Sequence, residues 1–271
     1  MFKGYKFGEA RTAPGALKAA VLALSLGLLV SACGGKGGTS VSGANVDGLT
    51  AAGTSAFNAA TLSDADVKDL SDKSCAALDA KSKIAAPKSK EAVRLAKIVK
   101  GMPSTVKGVA INYKVYQTKE VNAWAMNNGC VRVYSGLLTM MNDDEVRGVI
   151  GHEIGHVALG HSKSTMQTAY AASAARQAAG AAGNSAVAAI SNSQLGDFAE
   201  KLVNAQFSQA QESASDDYSF DLLTAGKFKR EGLVTAFEKL ATLGDKNSML
   251  SSHPSSTDRA KHIRDRIAAN K

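Results

Sequence analysis

The 271-residue chain contains no apolar run long enough to span a bilayer. Its most hydrophobic stretch, AAVLALSLGLLV at positions 19–30, has twelve residues, against the roughly 20 that a spanning helix needs. It also lacks any block of lysine and arginine with interleaved aromatics. Its basic residues are spread among acids, so nucleic acid is not an expected partner. Cysteine is scarce, at three residues, so one disulfide is the most that can form if one of them is otherwise engaged. Histidine is scarce too, at five residues, yet three of them fall within VIGHEIGHVALGH at positions 149–161.

What is present at the N-terminus sets the compartment. Lys3, Lys6, Arg11 and Lys18 flank or precede the apolar run and SAC follows it, the layout of a secretory signal peptide over residues 1–32. VSAC at 30–33 resembles a bacterial lipobox, which would make Cys33 the lipidated mature N-terminus. By the same resemblance, Gly34 after the cysteine implies the periplasmic face of the outer membrane. Removing residues 1–32 lowers the formal charge from +8 by three to +5, so the mature protein is only mildly basic. With Cys33 carrying lipid, Cys75 and Cys130 remain, and two thiols in an oxidising compartment are expected to pair. Residues 33–62, rich in glycine, serine, threonine and alanine, read as a flexible tether. The folded domain is expected over 63–271.

Within that domain, SDAD at Ser63 reads as a helix cap, followed by Val67, Leu70, Ala77 and Leu78 near one helical face. A second helix is expected after Pro87, with Leu95, Val99 and Met102 on its inner side. VAINYKVY (109–116) and CVRVY (130–134) have strand character. Asn127, Asn128 and Gly129 between them tolerate positive φ and favour a tight antiparallel reversal. NDDE at 142–145 opens a helix that carries the histidines to a terminating Gly160. Residues 162–194, dominated by small and polar residues, are expected to be mobile helices or a disordered insertion. LGDFAEKLVNAQFSQAQESASDDYSFDLLTAG is expected to form one long helix, and LVTAFEKLATL and RAKHIRDRI two more. The fold class is therefore α+β, mainly helical, with a small antiparallel sheet beside the histidine helix.

His152 and His156 stand four positions apart, about 40° in helical projection, so both imidazoles can converge on one metal ion. Glu153 lies beside them, placed to hold and deprotonate a water. With so few histidines and nine glutamates, chance would produce HExxH in roughly 0.3% of shuffled chains, so coincidence is the poorer explanation. Gly151 and Gly155 would each weaken an exposed helix by about 1 kcal/mol relative to alanine. Beside both histidines they favour close backbone packing instead. The best third ligand is Glu212 in QESASDDYSFDLL, with Asp216 four residues later on the same face.

HEIGH, the downstream ESASD and a late HP followed by arginine resemble the gluzincin peptidases of the HtpX lineage, and among them the LoiP-like periplasmic lipoproteins. The resemblance covers about residues 63–271. It implies one zinc ion per chain held by His152, His156 and Glu212, with Glu153 as general base and Asp216 orienting a ligand. The family pattern is ExxAD, whereas Ser215 replaces the alanine here. His253 would donate a hydrogen bond to the oxyanion with Arg259 fixing its loop, or would occupy the open zinc position and block the enzyme. A plain proline-containing turn into the last helix is the alternative for that segment. NAWAM is similar to an edge strand to which an extended substrate adds by backbone pairing, although Trp124 fits an ordinary core equally well. His161 and His262 read as solvated or capping residues.

The expected function is a zinc endopeptidase acting on extended or misfolded envelope proteins, with other envelope proteases or assembly factors as candidate partners. The rival is an envelope assembly factor with a latent zinc site, and a third reading is a zinc amidase acting on cell-wall peptides.

Overall fold

Ser63 caps the first helix of the computed structural model, which describes residues 62–180, 192–243, 249, 252–253 and 256–269. The signal segment, Cys33 and the tether up to residue 61 lie outside the described residues. The Ser63 hydroxyl accepts from Asp66 N at 3.2 Å and the Asp66 carboxylate accepts from Ser63 N at 2.9 Å. This reciprocal cap satisfies two backbone donors at the start of α1 (Asp64–Lys81). Helix α2 (Lys90–Ile98) follows and buries Leu95 and Ile98.

The sheet region is richer than the alternation alone foresaw. A short hairpin joins β1 (Thr105–Val106) to β2 (Val109–Ala110), turning at Lys107 and Gly108, which have φ of 49° and 77°. That hairpin takes Val109 and Ala110 out of the strand expected over 109–116, which begins instead at Asn112. Strands β3 (Asn112–Tyr116), β4 (Ala123–Ala125) and β5 (Cys130–Tyr134) form a sheet in the order β3-β5-β4. The Asn127–Gly129 reversal, with Gly129 at φ 77°, makes β4 antiparallel to β5. Because β4 uses that turn, β3 lands on the far side of β5 and runs parallel to it.

Cys75 of α1 and Cys130 of β5 form a disulfide with their Cα atoms 6.5 Å apart. Closing a loop of 55 residues stabilises the fold by about 4 kcal/mol in the chain-entropy view. Beside it, buried Arg132 donates to both Asp79 carboxylate oxygens, at 2.8 and 3.0 Å. Together these bonds lock α1 onto the sheet.

After α3 (Ser135–Met140) comes α4 (Asp143–Ala158), the central helix. Its cap is Asn142, whose side chain accepts from Asp144 N and Glu145 N, both at 3.0 Å, while Glu145 accepts from Asn142 N at 2.8 Å. Helix α5 (His161–Gly180) then occupies much of the stretch expected to be mobile, with Met166 and Tyr170 buried against Val67 and Phe198. Residues 181–191 lie outside the described residues.

The single long helix expected from Leu195 onward is two. Helix α6 (Asn192–Val203) ends, and Ser208 starts α7 (Gln209–Ala225) with its own capping box to Gln211. Serine at the cap competes for backbone donors and starts a separate helix. Helices α8 (Glu231–Ala241) and α9 (Ser256–Ala269) complete the order. Val149, Ile150 and Ile154 of α4 pack into one core with Phe220 and Leu223 of α7, Leu233 and Phe237 of α8, and Ile263 of α9. No described helix is long and apolar enough to cross a membrane.

Candidate metal centre

The two glycines of the HEIGH turn are contact points between α4 and α7. A Cβ on Gly151 would lie 2.6 Å from Ser219 Oγ, and one on Gly155 would lie 3.0 Å from Ser215 O and 3.2 Å from its Cα. The Ser219 hydroxyl is itself held, donating to Gly148 O at 2.8 Å. Only a bare backbone lets the helices approach this closely, and the approach brings Glu212 up to the histidines.

His152 Nε2 and His156 Nε2 are 3.0 Å apart. Glu212 Oε1 lies 3.3 Å from His156 Nε2, and Glu212 Oε2 lies 3.6 Å from His152 Nε2. His253, from the segment between α8 and α9, enters the same cluster: its Nδ1 is 3.2 Å from His152 Nε2 and 2.9 Å from Glu212 Oε1. These four buried residues offer ligand atoms that all lie within 4.8 Å of one another. Ligands at zinc bond lengths in a tetrahedral site stand roughly 3.3 Å apart, so the two imidazoles and the carboxylate already have the spacing such an ion needs.

Behind the cluster, Asp216 Oδ1 is 2.7 Å from His152 Nδ1. Arg259 of α9 binds both oxygens of Asp216, at 2.8 and 2.7 Å, and pairs with Glu212 Oε2 at 2.6 Å. Its guanidinium also lies over the Phe237 ring, 4.1 Å from the centroid. Arg259 thus braces Glu212 and Asp216; most of the loop around His253 that the resemblance assigns to it lies outside the described residues. The planar guanidinium fork suits paired carboxylates.

Glu153 faces the other way, into a pocket. Its Oε1 is buried without a hydrogen-bond partner among the described residues, and His253 Nε2 stands 3.6 Å off. Burial raises this carboxyl above its ordinary value, against the opposing pull of His253 and His152. Burial also acts on Glu212, yet His253 and His152 outweigh it and hold that carboxyl well below the usual range. Burial drives His156 well below its ordinary value, which favours the neutral imidazole that a metal requires. Two carboxylates with opposite tendencies stand within one buried site, a common mark of chemistry.

The pocket is lined on its apolar side by Trp124, Met126, Met166, Leu202, Val203 and Phe207, next to Glu153, His156 and His253. Trp124 is both core and wall: it is buried, packs edge-on against Tyr116 at 5.9 Å and fronts the pocket from β4. Strand β4 is an edge of its sheet.

All of these site residues fall within positions 89–267, which match peptidase family M48. The chain belongs to peptidase family M48. It is 54% identical over 222 residues, 81% of this chain and 87% of the relative, to the metalloprotease YcaL of Escherichia coli strain K12. It is 49% identical over 258 residues, 94% and 98% of the two chains, to the metalloprotease LoiP of the same strain. A protease HtpX of Shewanella frigidimarina shares 50% identity over 50 residues, 17% of each chain. This M48 chain is accordingly a metallopeptidase, and the mainly helical α+β fold expected from the sequence is the fold found.

Two residues beside the site escaped the sequence, Phe207 and His161, and a third, Ser215, stands out there only as a departure from the family's alanine. Phe207 stacks on the His156 ring with centroids 3.8 Å apart. His161 Nδ1 is 3.2 Å from His156 Nδ1, and Ser215 Oγ is 3.2 Å from that same His161 nitrogen. The sequence suggests a solvated or capping role for His161, because it lies past the glycine that ends the histidine helix and nothing in the spacing says where the chain goes next. Gly160, at φ 81°, ends α4 and turns His161 back. His262 lies outside the site, 2.7 Å from Asp217.

Proposed function

We propose that this peptidase is a zinc endopeptidase that hydrolyses peptide bonds in extended or misfolded cell-envelope proteins. In this reading lipid on Cys33 tethers it to the periplasmic face of the outer membrane, with other envelope proteases or assembly factors as neighbours. The observation that carries the catalytic part is Glu153: a buried carboxylate whose Oε1 has no hydrogen-bond partner among the described residues, set between the histidine cluster and an apolar pocket.

His152, His156 and Glu212 would hold the ion. Zinc, when bound, supplies Lewis acidity to the scissile carbonyl and to an attacking water. Glu153 takes the proton from that water and passes it to the leaving amine, and its raised affinity for protons suits both halves of the transfer. His253 keeps Nδ1 on Glu212 and turns Nε2 toward Glu153, from where it donates to the developing oxyanion. Edge strand β4 accepts an extended chain by backbone pairing. The adjoining apolar wall takes a hydrophobic side chain beside the cleaved bond.

Glu153→Gln is the test. It keeps the size of the side chain and removes its basicity, so casein cleavage should fall about 10²- to 10⁴-fold while zinc content stays at one per chain. Full activity in that variant would overturn the assignment. For the tether, Cys33→Ser should release the protein from the membrane fraction.

One observation favours a second reading, an assembly factor whose zinc is latent: His253 Nδ1 already stands 3.2 Å from His152 Nε2, among the ligands. In that case Glu153→Gln would leave the cellular role intact, and His253→Ala would raise proteolysis.

A further inference from the structure

A histidine that binds metal through Nε2 must carry its proton on Nδ1, and that proton needs an acceptor. For His152 the acceptor is Asp216, at 2.7 Å. No carboxylate among the described residues is in contact with His156 Nδ1. Among the described residues the polar atom within reach of His156 Nδ1 is His161 Nδ1, at 3.2 Å. His161 is the first residue of α5, turned back by the positive φ of Gly160. The same nitrogen lies 3.2 Å from Ser215 Oγ, on the turn of α7 between Glu212 and Asp216. Three elements therefore meet on one imidazole nitrogen.

Two ring nitrogens at this separation share one proton, which leaves two arrangements. If His161 Nδ1 donated, His156 would hold its own proton on Nε2. That proton would point at His152 Nε2, 3.0 Å away, and at Glu212 Oε1, 3.3 Å away, in the middle of the cluster. If His161 Nδ1 accepts, the His156 Nε2 lone pair faces the cluster instead, and the Ser215 hydroxyl, also 3.2 Å away, shares that single lone pair as the weaker arm of a three-centre bond.

We infer that His161 is a positioning residue for this peptidase: it accepts the Nδ1 proton of His156, is steadied by the Ser215 hydroxyl, and so presents the His156 Nε2 lone pair to the metal. The inference rests on the reading above that His156 is a metal ligand. It gives Ser215 a chemical task at a position where alanine is the family pattern.

The test is zinc affinity of the purified protein, by competition with a chromophoric chelator, for wild type, His161→Leu, His161→Gln and Ser215→Ala. Leucine fills the space without accepting a proton, and its affinity should fall about 10- to 100-fold. Glutamine offers an amide oxygen as acceptor and should recover most of that loss. Ser215→Ala should lose less, in the same direction, and an affinity equal to wild type would remove the hydroxyl from the inference. The melting temperature of each metal-free variant should match wild type, with only the zinc-dependent rise reduced. His161→Leu binding zinc as tightly as wild type, or His161→Gln binding as weakly as His161→Leu, would overturn the role. A wild-type protein that binds no zinc would instead overturn the underlying metal assignment.

Discussion

Asp216 Oδ1 sits 2.7 Å from His152 Nδ1 while both its oxygens are gripped by Arg259. The carboxylate therefore fixes the tautomer of one imidazole and is itself held in place, as outer partners of metal-binding histidines commonly are. Burial alone would raise the Asp216 carboxyl, but Arg259 and His152 together outweigh it and keep the group below its ordinary value.

Asp216→Asn removes the anion at constant shape. Zinc affinity, measured by chelator competition, should fall about 10- to 100-fold. Unchanged affinity would mean that Asp216 serves Arg259 alone.

Gly155→Ala tests the approach of α4 to α7. The added methyl would meet the Ser215 backbone at 3.0 and 3.2 Å, and backbone cannot swing aside as a side-chain tip can. The helices must part by a few tenths of an ångström, at about 1 to 3 kcal/mol less the roughly 1 kcal/mol that alanine gains in the helix. Because Glu212 rides on α7, zinc affinity should drop together with the melting temperature. A variant that melts like wild type and keeps its zinc would contradict this packing.

Asp79 gives the fold a specific sensitivity to acid. Burial would raise its carboxyl, yet hydrogen bonds from Arg132, Lys114 and Tyr116 outweigh it and hold the group far below the carboxylate range. A carboxyl depressed in the folded state stabilises the protein above its unfolded pKa, near 4, and that contribution is withdrawn as pH falls through the folded pKa. Asp79→Asn should cost about 3 kcal/mol at pH 7, because buried Arg132 loses its charged partner. Urea titrations of wild type and variant should then converge on acidification. Parallel curves down to the acid limit would refute the assignment.

Much of this was legible because local chemistry decided it. The caps at Ser63 and Asn142, the turn at Gly129, and the pairing of Gly151 and Gly155 with close helix packing all follow from one or two residues and their immediate neighbours. His152, Glu153 and His156 were readable from helical spacing, and Glu212 and Asp216 from theirs. What escaped depended on chain reversals that periodicity cannot express. The β1–β2 hairpin hid in a stretch that reads as one strand, and the parallel placement of β3 is decided only by which strand claims the Asn127–Gly129 turn. The Ser208 cap splits a continuous helical pattern, which frees Phe207 to stack on His156. His161 reaches the site only through the left-handed turn at Gly160, and the reach of Arg259 from α9 to both carboxylates of α7 depends on how those helices pack.

An anomalous-difference map collected at the zinc absorption edge from crystals of the purified enzyme addresses the metal directly. One peak per chain should stand between His152 Nε2, His156 Nε2 and the Glu212 carboxylate, with the unpartnered Glu153 oxygen facing the position beside it. Crystals with no peak there, or with a peak at other residues, would contradict the metal centre and the chemistry built on it.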